Sequence, residues 1–262
     1  MTDTERFLEG KHAIVTGGSR GIGAAVAMEL VARGARVTVM GRSRETLERQ
    51  AASMRGEEGV TVAVEECDVT DAKSVTTAFS HAVANLGPAY ILVNNAGIAK
   101  SRKFTQLTKE IWDETIATNL TGTYLCTSEV LPAMIEAKAG RIVNVASTAG
   151  LRGYRTMAAY AASKHGVIGL TRSLALETAK QGITINAVCP SFTDTDLTSQ
   201  GVQNIVAALN KTPAEALAMF TGTIPRGTLI TPEEVASAIG WLCSPGASGV
   251  TGIALPIAGG EL

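Results

Sequence analysis

Short apolar runs alternate with longer amphipathic stretches along the whole chain, and this alternation constrains the fold more than any other feature. The short runs are apolar on both faces and occupy residues 13–16, 35–40, 60–67, 90–93, 141–146, 183–189 and 253–257. The stretches between them show helical periodicity and occupy residues 22–33, 44–55, 72–86, 109–137, 158–181 and 232–243. Strands without a polar face belong to parallel sheets that helices cover on both sides. We therefore predict a doubly wound, Rossmann-like α/β fold, with a seven-stranded parallel sheet and helices on both faces.

Residues 1–262 are predicted to form a single domain, because one hydrophobic core can fill the volume of a chain of this length. The segment 191–227 breaks the alternation, since it has helical pieces but no strand. A long excursion between two strands is often a lid, and we expect a substrate lid here. A surface insertion without function is the alternative. Asp71, Thr108 and Thr231 are predicted to begin helices as N-cap residues.

Charge and hydropathy exclude several classes of protein. The chain has 23 basic and 24 acidic side chains, a formal net charge of −1, and no run of like charges. This argues against nucleic acid as a partner and against a polybasic membrane-binding patch. No stretch approaches the ~18 consecutive apolar residues of a membrane span. The charged start at residues 1–8 lacks the apolar core of a signal peptide, so a cytoplasmic protein is expected.

The cysteines do not suggest a metal site. Cys67, Cys126, Cys189 and Cys243 are widely separated and form no CxxC pair, and the three histidines do not cluster. All four cysteines lie in apolar or strand-like surroundings, so we interpret them as buried, inert thiols.

The first predicted strand runs directly into a glycine-rich turn at which a helix is predicted to begin, with the sequence Thr16-Gly17-Gly18-Ser19-Arg20-Gly21-Ile22-Gly23. Glycines allow a tight turn and a close approach of the backbone to a pyrophosphate. The helix behind them offers free N–H groups and a partial positive charge. Strand, turn and helix occur in the order that this mechanism requires. The candidate phosphate-binding residues are Gly17, Ser19, Arg20, Gly21, Ile22 and Gly23.

The spacing T-G-x-x-x-G-x-G resembles the signature of the short-chain dehydrogenase/reductase family. Other segments similar to that family follow in order: Cys67-Asp68-Val69, Asn94-Asn95-Ala96-Gly97, Asn119 within Thr-Asn-Leu, Ser147, Tyr160-x-x-x-Lys164 and Asn186-Ala-Val-Cys-Pro190. The resemblance covers about residues 11–260. It implies a dinucleotide-binding oxidoreductase that moves a hydride between a nicotinamide and a carbonyl group or secondary alcohol. The resemblance extends to 3-oxoacyl-thioester reductases and related alcohol dehydrogenases.

Tyr160 and Lys164 are the candidate proton-transfer pair. They are four residues apart on a predicted helix, so their side chains share one face. A phenol with a pKa near ~10 is a poor acid or base at neutral pH. A neighbouring ammonium group is expected to lower that pKa, so that Tyr160 protonates the developing alkoxide in reduction or takes the alcohol proton in oxidation. Ser147 follows a predicted strand and could stabilise charge on the substrate oxygen.

The remaining site residues follow from the resemblance. It implies that Tyr160 and Lys164 also bind the cofactor, with Lys164 holding the nicotinamide ribose, and that Asn119 orients a water connecting Lys164 to solvent. It further implies that Asn119, Ser147, Tyr160 and Lys164 form a complete catalytic tetrad. It also implies that Asp68 and Val69 bracket the adenine, that Asn94 passes near the adenosine ribose, and that Thr193 contacts the carboxamide.

The end of the second predicted strand indicates which nicotinamide is used. NAD-preferring sites place an acidic residue there to bind the ribose 2′-hydroxyl. Here Gly41 occupies that position, Arg42 follows it, and Arg20 of the glycine-rich turn faces the same region. Arginine side chains suit a 2′-phosphate. NADP(H) is therefore the expected cofactor, and NAD(H) remains possible.

The substrate is left open by the sequence. The segment 191–227 is apolar, with Phe192, Leu197, Ile205, Val206, Leu209, Leu217, Met219 and Phe220, and basic residues flank the expected mouth at Lys100, Arg102, Lys103, Arg152 and Arg155. These features suit a 3-oxoacyl thioester, a hydrophobic keto acid or a cyclic ketone, but ordinary lid packing and surface charge explain them equally well. The alternatives in function are an NAD-dependent secondary alcohol dehydrogenase and a nucleotide-sensing protein without turnover.

Two positions depart from the family pattern. Ser191 replaces the usual glycine after Pro190, which could shift the loop that follows, and Ala258 replaces a common aspartate before Gly259.

The family resemblance implies a homotetramer whose subunits meet through the helices at 109–137 and 158–181. Apolar residues beyond the needs of one buried stripe support this prediction, namely Ile116, Leu120, Val167, Leu170 and Leu174.

Overall fold

The computed structural model describes residues 6–55 and 60–262, and a seven-stranded parallel sheet forms its centre. The strands are β1 (His12–Thr16), β2 (Arg36–Gly41), β3 (Val62–Glu66), β4 (Ala89–Asn94), β5 (Gly140–Val145), β6 (Ile183–Pro190) and β7 (Ala254–Ile257). Their spatial order is β3-β2-β1-β4-β5-β6-β7, and all these pairings are parallel. The predicted doubly wound α/β fold is confirmed. Residues 1–5, part of the start from which the absence of a signal peptide was inferred, lie outside the described residues.

Helices cover both faces of the sheet. They are α1 (Gly21–Ala32), α2 (Arg44–Met54), α3 (Ala72–Leu86), α4 (Lys109–Ile116), α5 (Gly122–Ala137), α6 (Ala158–Thr178), α7 (Asp196–Leu209), α8 (Pro213–Thr221) and α9 (Pro232–Leu242). Neighbouring residues of β1 separate the two core layers, because side chains alternate across a strand. Val15 packs in one buried cluster with Val26 of α1 and Ile239 of α9. Ile14 packs in the other cluster with Phe79 of α3.

The order of the strands reverses at β1, which pairs with β2 on one side and with β4 on the other. In open α/β sheets, ligands bind beyond the carboxyl ends of the strands at such a switch point. Thr16 ends β1 and Asn94 ends β4, so the residues that follow them occupy the position where a ligand is expected.

The helix predicted at 109–137 is confirmed, and a π-helical turn at Ala117–Thr121 within it separates α4 from α5. Asn119 lies in this turn, and its side chain bonds the backbone of Ile98 in the loop after β4. A π-helical turn adds one residue and hardly changes the apolar periodicity on either side, so the sequence pattern did not reveal it. Such turns are frequent at functional sites.

The segment 191–227 contains α7 and α8 and no extended strand, as predicted; an isolated parallel bridge joins Thr193 to Ile230. The predicted N-caps are confirmed, since Asp71, Thr108 and Thr231 each accept a hydrogen bond from a backbone N–H of the helix that follows.

Across residues 6–55 and 60–262, no helix has the length and apolar character needed to cross a bilayer. The same residues contain no group of His, Cys, Asp and Glu side chains arranged to hold a metal ion. All four cysteines are buried free thiols, in agreement with the prediction.

Candidate active site

The glycine-rich turn lies at the carboxyl end of β1, next to the loop that follows β4. Gly17 and Gly21 have φ angles of +65° and +52°, a conformation that glycine adopts without steric cost. A Cβ on Gly23 would lie 2.2 Å from the carbonyl oxygen of Gly17, so the turn and the start of α1 are in close backbone contact. Asn95 holds the turn from the side, since its Nδ2 donates to the carbonyl oxygens of Thr16 and Gly17 at 3.0 Å each. Sequence reasoning missed this role, although the position of Asn95 directly after β4 could have revealed it.

The N-terminus of α1 is suited to bind an anion. The helix begins at Gly21, and the N-cap residue Arg20 makes no capping hydrogen bond with its side chain. The first-turn N–H groups are therefore not capped by Arg20, and the partial positive charge of the helix end adds to them. Ser19 and Ile22 are half-buried in the same turn, whereas Arg20 is exposed and pairs with Asp196 of α7 at 3.0 Å. The six predicted turn residues thus form one cradle, which fits the pyrophosphate of a dinucleotide.

The ends of β2 and β3 lie beside this cradle. Gly41 ends β2, and Arg42 follows with an exposed side chain, so this strand end carries no carboxylate. Asp68 follows β3 and accepts hydrogen bonds from the backbone N and the hydroxyl of Thr70 at 2.9 and 2.8 Å. The backbone hydrogen bond from Thr70, with smaller contributions from its hydroxyl and from the Arg42 guanidinium, lowers the pKa of Asp68. Val69 is buried, and its place beside an adenine ring stays a prediction.

Asn94 does not behave as predicted, because its side chain is buried in the interior. Its Nδ2 donates to Thr127 Oγ1 at 3.0 Å and to Asn144 Oδ1 at 2.9 Å, and Asn144 donates in turn to Thr171 Oγ1 at 2.9 Å. This network joins β4 and β5 to α5 and α6. A side-chain contact between Asn94 and a cofactor is therefore not supported, and the polar side chain at the turn is that of Asn95.

Ser147 and Tyr160 face each other beyond the carboxyl end of β5. Ser147 begins a short 3₁₀ helix, and its Oγ accepts a hydrogen bond from the backbone N of Ala149 at 3.1 Å. Tyr160 lies in the first turn of α6 and is half-buried. Burial raises the pKa of the Tyr160 phenol, and a hydrogen bond with the Ser147 side chain opposes part of that increase. The two groups proposed to act on the substrate oxygen are thus neighbours.

Lys164 lies one helical turn after Tyr160 and is only 5% exposed. Its Nζ is 5.7 Å from the centroid of the Tyr160 ring and donates to the carbonyl oxygen of Val145 at 2.7 Å. Burial lowers the pKa of Lys164 to about 8. The expectation that this ammonium lowers the pKa of Tyr160 is wrong for this structure, because desolvation of the phenol outweighs the opposing effects.

Asn119 connects the loop after β4 to α6, the helix that carries Tyr160 and Lys164. Its Oδ1 accepts from the backbone N of Ile98 at 2.8 Å, and its Nδ2 donates to the Ile98 carbonyl oxygen at 2.9 Å and to Ser163 Oγ at 3.0 Å. Ser163 in turn donates to the carbonyl oxygen of Tyr160 at 2.7 Å. A Cβ on Gly97 would lie 3.2 Å from Asn119 Oδ1 and 3.6 Å from the Lys164 Nζ, so these two polar groups flank Gly97. Ser163 was not predicted, although it lies directly before Lys164.

Thr193 is buried at the start of the segment 191–227. Its hydroxyl donates to the Ser191 carbonyl oxygen at 3.0 Å, and its carbonyl oxygen accepts from Thr198 Oγ1 at 2.5 Å. Because the hydroxyl proton is used inside the segment, the oxygen lone pairs are the part of this side chain that could accept from a carboxamide.

The two loops that carry the basic residues contact each other. The backbone N of Arg102 donates to the Thr156 carbonyl oxygen at 2.8 Å, and the hydroxyls of Ser101 and Thr156 are 2.7 Å apart. Arg102, Lys103 and Arg155 are exposed around this contact. The structure therefore gathers three cationic side chains near the residues that precede Tyr160.

Two of the basic residues are engaged elsewhere, contrary to the prediction. Lys100 forms an ion pair with Glu114 of α4, and Arg152 pairs with Glu261 at 2.5 Å. Neither acidic partner was predicted. Glu114 is 14 residues from Lys100 in the sequence, and Glu261 is 109 residues from Arg152. An anionic substrate would have to compete with these carboxylates.

The apolar residues of the segment 191–227 are only partly covered. Phe192, Ile205, Val206 and Phe220 are half-buried, but four other residues are 39–54% exposed, namely Leu197, Leu209, Leu217 and Met219. Half of the apolar residues named in this segment are therefore largely open to solvent. Phe192 packs edge-on against both Tyr154 and Phe220, with ring centroids 6.3 and 4.7 Å apart.

A doubly wound sheet, a glycine cradle at its switch point and a neighbouring Ser–Tyr–Lys cluster define a nicotinamide-dependent oxidoreductase. The comparison with family models agrees with this class. The model described as short chain dehydrogenase matches residues 11–205, and the chain belongs to that family. The predicted resemblance is confirmed, and the protein is an NAD(P)(H)-dependent oxidoreductase that acts on a carbonyl group or an alcohol.

Similar proteins cover almost the whole chain. The 3-oxoacyl-(acyl-carrier-protein) reductase FabG of Pseudomonas aeruginosa is 40% identical over 253 residues, which are 97% of this chain and 98% of the relative. Among solved structures, a variant of actinorhodin polyketide ketoreductase with NADPH matches with a TM-score of 0.92 and 39% identity, covering 96% of this chain and 97% of the other. Levodione reductase matches with a TM-score of 0.92 and 32% identity, covering 97% and 98%.

Proposed function

We propose that the chain reduces a 3-oxoacyl thioester, or a hydrophobic ketone of similar shape, with NADPH. The observation that carries the proposal is the Tyr160 phenol beside Ser147, with the buried Lys164 one helical turn behind it. The cluster lies at the carboxyl end of β5, two strands from the glycine cradle. The names of the relatives support the substrate class, since they include reductases of 3-oxoacyl groups on acyl carrier protein and a polyketide ketoreductase.

The residues present fit a dinucleotide. The cradle at residues 17–23 would hold the pyrophosphate, Arg42 the 2′-phosphate, and Asp68 and Val69 the adenine end. Lys164 and Thr193 would hold the nicotinamide riboside. When bound, NADPH supplies the hydride that reduces the carbonyl carbon.

Tyr160 and Ser147 act on the substrate oxygen. As negative charge develops there, the Ser147 hydroxyl donates a hydrogen bond and Tyr160 gives up its phenolic proton. Burial raises the pKa of Tyr160, so the phenol carries the proton that it gives to the developing alkoxide. Lys164, with a pKa of about 8, is mostly charged at pH 7 and stabilises the phenolate that remains. By resemblance to the family, Asn119 orients a water through which the proton is replaced.

Two observations favour this reaction over the alternatives. Gly41 and Arg42 at the end of β2 suit NADP(H) rather than NAD(H). A nucleotide sensor without turnover would not need the proton-transfer cluster, and all four of its side chains are present here. The exposed Arg102, Lys103 and Arg155 suit the phosphate of a carrier-bound or coenzyme-bound substrate.

We further propose that the segment 191–227 is a lid in a single catalytic domain and that four chains assemble into a homotetramer. The ion pair between Arg20 and Asp196 supports the first proposal, because it joins the glycine cradle to α7. Exposed apolar side chains on α4, α5 and α6 support the second, namely Trp112, Tyr124, Ile135 and Leu176.

The proposed function is tested by following NADPH absorbance with three substrates: a 3-oxoacyl N-acetylcysteamine thioester, a hydrophobic cyclic ketone and a small aliphatic ketone. The same assays are run with NADH. We expect the thioester to have the highest kcat/KM, and NADPH to be preferred by ~10-fold or more, the value of one well-placed charge-assisted contact. Equal use of NADH, or faster oxidation of secondary alcohols with NAD, would favour the alcohol dehydrogenase instead.

Tyr160→Phe tests the assigned proton donor. The variant should retain the fold and NADPH affinity, because only one hydroxyl is removed, and its kcat should fall by at least ~10²-fold, the usual contribution of a positioned acid. Tyr124→Phe, at an exposed position of α5, is the matched control and should keep the wild-type rate. Near wild-type turnover in Tyr160→Phe would overturn the mechanism.

A further inference from the structure

A buried carboxylate lies next to the site and has no part in the mechanism above. The side chain of Glu261, the penultimate residue, is completely inaccessible to solvent. Three groups donate hydrogen bonds to it: Arg152 Nη2 at 2.5 Å, Tyr154 Oη at 2.6 Å and Ser191 Oγ. Both carboxylate oxygens are therefore occupied.

The donors explain how a charged group is tolerated in this position. A carboxylate is strongly disfavoured away from water unless it is paired and hydrogen-bonded. Arg152 supplies the opposite charge, and its guanidinium also lies 4.7 Å from the centre of the Tyr154 ring. Burial and the hydrogen bond to Glu261 raise the pKa of Tyr154, so the phenol keeps the proton that it donates. Tyr154 Oη is also 2.7 Å from Thr148 Oγ1.

The three donors come from two segments that the chain separates widely. Arg152 and Tyr154 lie in the loop at 148–157, which connects the two groups proposed to act on the substrate oxygen. Ser191 is the first residue of the segment 191–227. Glu261 therefore binds the loop of the reacting groups and the base of the proposed lid with one side chain.

The C-terminal turn holds Glu261 against both ends of the proposed lid. Gly259 and Gly260 have φ angles of +56° and +92° and reverse the chain after β7. The backbone N of Ser191 donates to the Ile257 carbonyl oxygen at 3.1 Å, at the near end of the segment. At the far end, the backbone N of Arg226 donates to the Gly259 carbonyl oxygen at 3.0 Å.

An aromatic chain extends from the Glu261 contact into the proposed lid. Tyr154 packs edge-on against Phe192, with ring centroids 6.3 Å apart, and Phe192 packs edge-on against Phe220 of α8 at 4.7 Å. Phe220 in turn covers Gly201 of α7, where a Cβ would lie 3.0 Å from the ring. A shift of the Tyr154 ring would therefore be transmitted to both lid helices.

We propose that Glu261 is a positioning residue that sets substrate specificity by locking Tyr154 and Ser191 into one arrangement. The inference rests on the proposed function of Ser147 and Tyr160. It also explains a departure from the family pattern, because the hydroxyl of Ser191, where the family usually has glycine, is one of the three groups that Glu261 accepts from. Glu261 touches neither reacting group and acts through the loop and the lid.

Glu261→Gln tests the proposal, because it preserves the shape of the side chain and removes its charge. We expect KM for the 3-oxoacyl thioester to rise by ~5-fold or more while kcat and KM for a small aliphatic ketone stay within about twofold, since uniform binding is lost rather than chemistry. Leu262→Ala, at the exposed neighbouring position, is the control and should leave kcat and KM unchanged for both substrates. Equal changes for both substrates would show that Glu261 is merely structural and would overturn the proposal.

A double-mutant cycle tests whether Glu261 acts through Tyr154. Tyr154→Phe keeps the ring and removes the hydroxyl, so its effect and that of Glu261→Gln on the thioester KM should be non-additive. Ser191→Gly removes a single donor and provides a milder variant should Glu261→Gln fail to fold. It should shift KM in the same direction by a smaller factor. Additive effects in the cycle, or an unchanged KM in Ser191→Gly, would contradict the proposed coupling.

Hydrogen–deuterium exchange separates this proposal from the proposed function, because it does not need turnover. In Glu261→Gln, or in Ser191→Gly if the former does not fold, exchange should increase together at 148–157 and 191–227 and stay unchanged in α2. One outcome is that the wild type reduces no carbonyl substrate while the variant shows this paired increase. The proposed reaction would then be wrong, and the connection that Glu261 makes between the two segments would be correct. Unchanged exchange in either segment would show that Glu261 does not connect them and would overturn the proposal.

Discussion

The ammonium of Lys164 is removed from water between α6 and β5, and its pKa in the folded protein is about 8, against 10.5 for an ordinary lysine. The unfolded chain therefore binds this proton more tightly than the folded protein does. Charged Lys164 destabilises the fold at all pH values below about 8, this cost is relieved as pH rises from 8 to 10.5, and it is absent above that range. At 1.36 kcal/mol per pKa unit, the cost at neutral pH is about 3 kcal/mol.

Lys164→Met should therefore make the protein more stable at pH 7 while turnover falls. We expect a gain in the free energy of unfolding on the order of 1–2 kcal/mol, because loss of the hydrogen bond to the Val145 carbonyl offsets part of the benefit. The gain should shrink as pH approaches 10.5. Urea unfolding at fixed protein concentration measures it.

Lys180→Met is the control for that measurement, because Lys180 is exposed and its replacement should change stability by less than about 0.5 kcal/mol. A Lys164→Met protein less stable than the wild type at pH 7 would show that the contacts of Lys164 outweigh its desolvation. In that case burial would not be the dominant influence on this residue.

At the scale of elements, the contact between β1, its turn and α1 is made by backbone atoms. Gly23 sits where any side chain would meet the Gly17 carbonyl, and Asn95 closes the same contact from the loop after β4. The geometry that leaves room for a pyrophosphate is therefore the geometry that holds α1 against the strand.

Gly23→Ala should separate these elements. Its Cβ would be placed 2.2 Å from a carbonyl oxygen, so α1 must move, and overpacking of this kind costs ~1–3 kcal/mol. We expect the NADPH dissociation constant, measured by nucleotide fluorescence, to rise by ~10-fold or more as the N–H donors shift. Gly249→Ala, where a Cβ would meet nothing within 4 Å, should bind NADPH normally. Normal binding in Gly23→Ala would show that the turn tolerates this shift.

At the scale of the whole molecule, the described chain leaves large apolar side chains uncovered on the helices expected to meet other subunits. Val167, one of the residues used to predict a tetramer, is buried within its own subunit. The stronger indication is Leu176 of α6, which is 83% exposed, together with Tyr124 of α5 at 56%. Such exposure suits an interface between subunits.

Light scattering should give about 108 kDa at micromolar concentration, four times the 27.1 kDa of one chain. Leu176→Arg places a charge in the proposed interface and should lower the measured mass. Leu209→Arg, at an exposed position in the proposed lid, is the control and should leave the mass unchanged. A stable wild-type species of 27.1 kDa would contradict the tetramer.

Local patterns in the sequence were sufficient for the sheet, its helices and the cradle. Strands apolar on both faces required a covered parallel sheet, and the spacing of Gly17, Gly21 and Gly23 required a tight turn before a helix. The shared face of Tyr160 and Lys164 followed from helical geometry alone. Each of these features depends on residues that are close together in the chain, so the sequence by itself determined them.

Only the tertiary structure decided which polar groups meet across long distances in the chain. It turned Asn94 into the interior and Asn95 toward the cradle, and it brought Glu261 to Arg152 over 109 residues. It also reversed the expected shift in the pKa of Tyr160, because the degree of burial is set by all surrounding elements together. A sequence lists charges and hydroxyls, but their partners and their desolvation depend on packing, and packing determined the chemistry of this site.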